Sequence, residues 1–219
     1  MNQRTRIKIC GVSQETDIEA AVEAGADAVG FVFHPPSVRH VSVDRAAQLA
    51  RTLPPYVTPV GLFVNAVRAD IEAAVGAIPT LLLQFHGDET PADCAALGRP
   101  YLRAVRMTAE LDLLDFARRF DEAQGLLLDA HVEGFGGGGK AFDWSLVPAE
   151  FSAGSRRRLV LSGGLHAANV CAGILRLRPW AVDVSSGVES SRGVKDAAAI
   201  RRFCDAVREA DARIAASTA

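Results

Sequence analysis

The sequence runs to 219 residues, about one and a half times a typical domain, so length alone leaves one domain or two open. Its composition, 49% hydrophobic and 23% charged, is that of a chain able to bury a core, and it excludes a disordered one. With 24 basic and 26 acidic residues the net charge is −2, which excludes the broad positive field of a nucleic-acid binder. Cys10, Cys94, Cys171 and Cys204 form no C-x-x-C pair and are too sparse for a secreted disulfide scaffold. No stretch of roughly 18 apolar residues is present, so no membrane association is expected and the chain is assigned to the cytoplasm.

In chain order, short apolar runs begin near Arg6, Asp27, Thr58, Thr80, Pro100, Gly125, Arg157 and Trp180. Between most of them lie stretches of helical periodicity. Ile18, Ala21 and Val22 share a face closed by Gly25. Ala46, Leu49, Ala50 and Leu53 follow Ser42 as a cap and stop at Pro54-Pro55. Ile71, Ala74, Val75 and Ile78 repeat the spacing, Thr90-Pro91 reads as a cap and first helical position, and Leu113, Phe116, Ala117 and Phe120 follow. Ile200, Phe203, Cys204 and Val207 complete the series. The strand candidates, such as Gly125-Leu126-Leu127-Leu128, are apolar on both faces, as a parallel sheet covered by helices requires. An open doubly wound sheet can use such units, but eight in even succession favour closure. The expected fold is α/β, a (β/α)8 TIM barrel of one domain over residues 1–219.

Ligands bind at the carboxyl ends of such strands, so the residue where each run stops carries the functional information. Cys10 ends strand one and Asp129 ends strand six, the candidate base and acid. A free cysteine is only roughly 3% thiolate at pH 7 and needs help from positive charge or from the substrate to act as a base. An aspartate at the edge of a hydrophobic barrel can keep a proton to donate. The plainer alternatives are a small core cysteine and a helix-capping aspartate. Gly163-Gly164 and Ser186-Gly187, after strands seven and eight, offer unobstructed backbone N–H groups of the kind that bind phosphate, or else simply make tight turns. Arg39 has a fork of donors suited to a carboxylate, and His86 and Arg106 are candidate pocket residues. Gly134 to Gly139 formally spells G-x-G-x-x-G but opens no long helix, so it reads as a lid or a loose connection. His34, His40, His131 and His166 lack metal-ligand spacing, and no metal is expected.

Several stretches together resemble the phosphoribosylanthranilate isomerase family of tryptophan biosynthesis. They are Lys8-Ile9-Cys10-Gly11, Gly30-Phe31-Val32-Phe33, Pro36-Ser37-Val38-Arg39, Val60-Gly61-Leu62-Phe63-Val64-Asn65, Gln84-Phe85-His86-Gly87, Ser162-Gly163-Gly164-Leu165 and Asp183-Val184-Ser185-Ser186-Gly187-Val188-Glu189. The resemblance implies an Amadori rearrangement of a phosphorylated aminoaldose, with Asp129 as general acid at the furanose ring oxygen and Cys10 as general base at C2′. It further implies Arg39 on the anthranilate carboxylate, phosphate at the last two strand loops, no cofactor, and a monomer or homodimer. Departures from the family pattern are Pro36, Val38, Phe85, Gly138 and Ser162, where lysine, proline, leucine, threonine and alanine are usual. The histidine-pathway aminoaldose isomerases would place an aspartate where Cys10 stands, and a mere sugar-phosphate binder would need neither Cys10 nor Asp129.

Overall fold

A computed structural model of the chain describes residues 4–130, 141–151 and 158–218. Eight parallel strands close on themselves: β1 (Arg6–Cys10), β2 (Ala28–Val32), β3 (Thr58–Phe63), β4 (Leu82–Phe85), β5 (Tyr101–Met107), β6 (Gly125–Ala130), β7 (Arg158–Leu161) and β8 (Ala181–Val184). Closure is made by β1, which pairs with β2 on one side and with β8 on the other, Lys8 lying opposite Asp183. Each strand begins within two residues of its expected place, and the open-sheet alternative is eliminated.

The helices are α1 (Glu15–Glu23), α2 (Val43–Ala50), α3 (Arg68–Ala77), α4 (Pro91–Ala95), α5 (Leu113–Arg119), α6 (Val170–Leu177) and α7 (Ala197–Thr218). Their starts have local chemical causes. The Ser42 hydroxyl accepts the Arg45 N–H at 3.2 Å, and Thr90 and Asp93 cap α4 reciprocally with Pro91 at its first position. The sixth unit differs from the regular strand–helix alternation. Among the described residues between β6 and β7 only two 3-10 turns occur, Trp144–Leu146 and Ala149–Phe151. Pro148 lies between them and has no N–H to continue a helix, so the segment contributes Phe142, Leu146, Val147 and Phe151 to the core from short turns.

The main core lies between strands and helices, with Ile7, Ile9, Phe31, Phe63 and Phe85 packed against Ile18, Leu49, Ile71 and Phe203. An aromatic ladder crosses β2 to β5: Phe33 stacks on Phe63 at 5.1 Å, and Phe85 meets Tyr101 edge-on at 5.7 Å. Side chains two apart on a strand share a face, so Lys8 with Cys10, and Gln84 with His86, turn away from this layer to the barrel interior. The Arg103 guanidinium fixes the mouth from outside, donating to the carbonyls of Phe85 and Gly87, each at 2.9 Å, and to Glu89 at 3.2 Å. Glu89 in turn accepts the N–H groups of Asn65 and Gly87. The ends of β3, β4 and β5 are thereby tied together directly below His86. No helix of the described residues is long and apolar enough to cross a membrane.

Candidate active site

Two polar networks occupy the mouth of the barrel. The first is built on β4 and β6. Asp129 is half-buried and its Oδ2 lies 2.9 Å from His86 Nε2, while its Oδ1 accepts the Ala130 N–H at 2.9 Å. His86 Nδ1 lies 3.1 Å from Gln84 Nε2, and the other amide atom, Gln84 Oε1, is buried without a partner among the described residues. With the amide N–H directed at Nδ1, the imidazole proton belongs on Nε2 and is donated to Asp129. With the amide turned over, Oε1 would accept from Nδ1–H, and Nε2 would accept from a protonated Asp129.

The second network is built on β1 and β8. Cys10 is buried, and the Lys8 ammonium stands on the same strand face beside it. Lys8 Nζ donates to Asp183 Oδ1 at 2.8 Å, and both side chains are 6% exposed. Burial works against the ammonium, but the Asp183 carboxylate and the Cys10 sulfur outweigh it and hold Lys8 charged above the ordinary lysine range. Burial pushes the Cys10 thiol up; Lys8 pulls it down, Asp183 pushes it up, and the net direction is upward.

Arg39 joins this side. Its Nε and one terminal nitrogen grip Glu189 at 2.6 and 2.8 Å, a bidentate pair almost out of solvent. Glu189 also accepts from Lys195 at 2.8 Å and from the Gly193 N–H. It lies at the start of a hairpin of two short strands, β9 (Glu189–Ser191) and β10 (Val194–Lys195), that follows β8. Burial opposes its charge, yet Arg39 and Lys195 bring its carboxyl down to about 2. Lys195 Nζ reaches the Ser185 carbonyl at 3.1 Å, and the Ser185 hydroxyl donates to the Cys10 carbonyl at 3.0 Å, so one chain of contacts runs from Arg39 to the backbone of Cys10.

The loops after β7 and β8 sit beside both networks. Gly163 has φ +76° and its α-carbon faces the Ala130 N–H and the Asp129 carboxylate, so a side chain there would collide with both. Gly187, in a 3-10 turn over Ser186–Val188, lies flat on the Leu165 carbonyl, which brings the two loops together. Gly164 is pinned by its carbonyl, which accepts from Asn169 at 2.9 Å.

Cys10 and Asp129 therefore stand at the same end of the barrel, on strands that are not neighbours, with Arg39, His86, Gly163, Gly164, Ser186 and Gly187 in the surrounding loops. Arg106 lies beside Asp129 in the β5/β6 register and reaches Asp88 at 3.2 Å. The loop containing Gly134 to Gly139, His131, and Arg156-Arg157 lie outside the described residues. Sequence reasoning assigned no role to Lys8, Gln84, Asp183, Glu189 or Lys195. The available signal was a polar or charged residue inside an apolar strand, as at Lys8, Gln84 and Asp183.

A closed parallel barrel with a thiol and a carboxyl set apart at the carboxyl ends of its strands is a TIM barrel equipped for acid–base chemistry. A family model described as N-(5′-phosphoribosyl)anthranilate (PRA) isomerase matches residues 7–206. The N-(5′-phosphoribosyl)anthranilate isomerase of Methylibium petroleiphilum is 70% identical over 214 residues, covering 98% of this chain and 99% of its own. Among solved structures, phosphoribosyl anthranilate isomerase from Thermotoga maritima superposes with a TM-score of 0.85 at 40% identity, covering 94% of this chain and 99% of its own. A phosphoribosyl anthranilate isomerase in complex with reduced 1-(o-carboxyphenylamino)-1-deoxyribulose 5-phosphate superposes with a TM-score of 0.82 at 38% identity and the same coverage. The chain belongs to the N-(5′-phosphoribosyl)anthranilate isomerase family.

Proposed function

We propose that Asp129 and Cys10 divide the two proton transfers of the family's reaction, which this chain catalyses as an isomerase of N-(5′-phosphoribosyl)anthranilate in tryptophan biosynthesis. Asp129 gives its proton to the furanose ring oxygen as the C1′–O bond breaks, and the nitrogen lone pair forms the C1′ iminium. The iminium acidifies the C2′ proton, which Cys10 removes, and tautomerisation gives the aminoketose. The single observation that supports this reading most is the hydrogen bond between Asp129 and His86, with Gln84 behind it. An acid must carry its proton before turnover, and the imidazole together with a reversible amide provides a place from which Asp129 receives one.

Arg39 is assigned to the substrate carboxylate. With Nε and one terminal nitrogen committed to Glu189, the remaining nitrogen is the one offered to substrate. Gly163, Gly164, Ser186 and Gly187 are assigned to the phosphate, supported by the contact between the two loops and by their place at the carboxyl ends of β7 and β8. Residues 1–219 are read as one catalytic domain, since α7 packs on α1, α6 and β1 and Thr5 hydrogen-bonds Asp211 at 2.7 Å. The partner is the small phosphorylated aminoaldose, and a biosynthetic role fits the cytoplasm.

The test is loss of anthranilate fluorescence on turnover of this aminoaldose, with the histidine-pathway aminoaldose, which carries no anthranilate, offered separately and followed by its ultraviolet absorbance. Asp129→Asn and Cys10→Ala are each expected to lower kcat by about 10²- to 10⁴-fold while the protein still binds product. Full activity in either variant removes the assignment.

A further inference from the structure

The thiol assigned as the base is buried at the end of an apolar strand, where a thiolate is disfavoured. Among the described residues, the charged groups around it come from several elements. Lys8 stands two residues before it on β1, Asp183 lies across the β1/β8 seam, Lys195 comes from β10, and Arg39 comes from the loop after β2. From β2, Gly30 lies against it. A β-carbon placed on Gly30 would lie 2.8 Å from Cys10 Sγ and 3.1 Å from Lys8 Nζ, so sulfur and ammonium converge on one point that a larger residue would fill.

We propose that Lys8 is a positioning residue for catalysis, the fixed counter-ion that lets Cys10 carry negative charge, and that Asp183 is the carboxylate that keeps Lys8 charged when Cys10 is neutral. This deepens the assignment of Cys10 as base and rests on it for its catalytic meaning. The charge balance explains why three groups are used. With Cys10 as thiolate, the trio Lys8, Asp183 and Cys10 carries one net negative charge; when the thiolate takes the C2′ proton, the trio becomes neutral and the Lys8–Asp183 pair remains satisfied. Without Asp183, protonation of Cys10 would strand a buried ammonium; without Lys8, a thiolate would form beside a buried carboxylate. The Ser162 hydroxyl, 3.4 Å from Asp183 Oδ2, faces the second oxygen of that carboxylate from β7.

The two neighbours act on the sulfur in opposite directions, which makes the inference testable without relying on folding or activity alone. Thiolate formation at Cys10 is read as the 240-nm absorbance of the protein minus that of its Cys10→Ser variant across a pH series. Lys8→Met is expected to move the midpoint up by at least one pH unit, a tenfold smaller thiolate fraction at a fixed pH below it. Asp183→Asn is expected to move it down, and Lys8→Arg to keep it near the parent value. The double variant Lys8→Met/Asp183→Asn removes both buried charges and guards against a misfolded single variant; its midpoint is expected between those of the two single variants. Midpoints that stay in place, or that move in the same direction in Lys8→Met and Asp183→Asn, overturn the inference. The acidic limb of kcat/KM is measured in parallel and should follow the absorbance midpoints. If absorbance shifts as expected while Cys10→Ala retains full turnover, the counter-ion role stands and the assignment of Cys10 as base fails.

Discussion

Around Cys10 the protein gathers fixed charges, Lys8, Asp183, Lys195 and Glu189, each with its side chain less than a tenth exposed, whereas Asp129 is hydrogen-bonded by an imidazole and by a backbone N–H. The difference matches the role proposed for each group. A buried thiol has to lose a proton, and a permanent cation is what favours that. A carboxyl serving as an acid has to keep a proton. A permanent cation hydrogen-bonded to it would hold it ionised, while a histidine can hold the proton and return it. Arg106, next to Asp129 in the β5/β6 register, reaches Asp88, and the Arg103 guanidinium is committed to Glu89 and two carbonyls. The side of the proposed base is thus built on fixed charges, and the side of the proposed acid on an imidazole and a backbone N–H.

The sharpest way to break this comparison is to crowd each side by one methyl group. Gly163→Ala meets the Ala130 backbone and the Asp129 carboxylate at a left-handed φ, and neither neighbour is a flexible tip. It is expected to lower kcat by about 100-fold and to cost on the order of 2 kcal/mol of stability in urea unfolding. Gly30→Ala meets the Cys10 sulfur at 2.8 Å and the Cys10 α-carbon and Lys8 ammonium less tightly at 3.1 Å, without a left-handed φ, so a loss of about tenfold in kcat with smaller destabilisation is expected. If Gly30→Ala proves the more damaging, the acid side is not the one set by backbone. A smaller effect comes from His86→Asn. It is expected to reduce kcat about tenfold with KM unchanged, because His86 bonds Asp129; a raised KM with kcat intact would instead make His86 a substrate contact.

Much of the fold was legible from the sequence because its causes are local. Ser42 and Thr90-Pro91 start helices by capping their own next turns, and the apolar runs become strands within two residues of expectation. The groups proposed to react could be picked out for a similar reason: Cys10 and Asp129 each end an apolar run, and in a parallel α/β fold that end faces the ligand. Their partners were not, because partnership depends on closure. Lys8 meets Asp183 across 175 positions because β8 closes on β1, and Arg39 meets Glu189 across 150 because the segment after β8 returns to the loop after β2. Read alone, Glu189 is one more acidic residue after a strand. The two short turns before β7 were hidden for the opposite reason. No helical run is evident after the glycine loop, and Pro148 lies among Trp144, Leu146 and Phe151, residues that suit a helix or a turn equally well.

The fixed-charge character of the base side has a consequence for stability. The Glu189 carboxyl is lowered from 4.5 to about 2 by Arg39 and Lys195 against the cost of its burial. A carboxyl whose folded value lies below its unfolded value stabilises the fold fully above about pH 4.5, and that contribution is lost as the pH falls towards 2. The full contribution is on the order of 2–3 kcal/mol. Glu189→Gln keeps the shape of the side chain and removes the charge, so the variant should be less stable than the parent at pH 6, with the gap narrowing steadily between pH 4.5 and 3. Urea midpoints at a series of pH values read this directly. A variant whose acid sensitivity equals the parent's would mean that the Arg39–Glu189–Lys195 cluster is loosely held, and Arg39 would then be free to swing to the substrate with its whole fork. A narrowing gap means that Arg39 is already aimed before the substrate arrives, with its stem over Gly11 and its position linked through Glu189, Lys195 and Ser185 to the backbone of the proposed base.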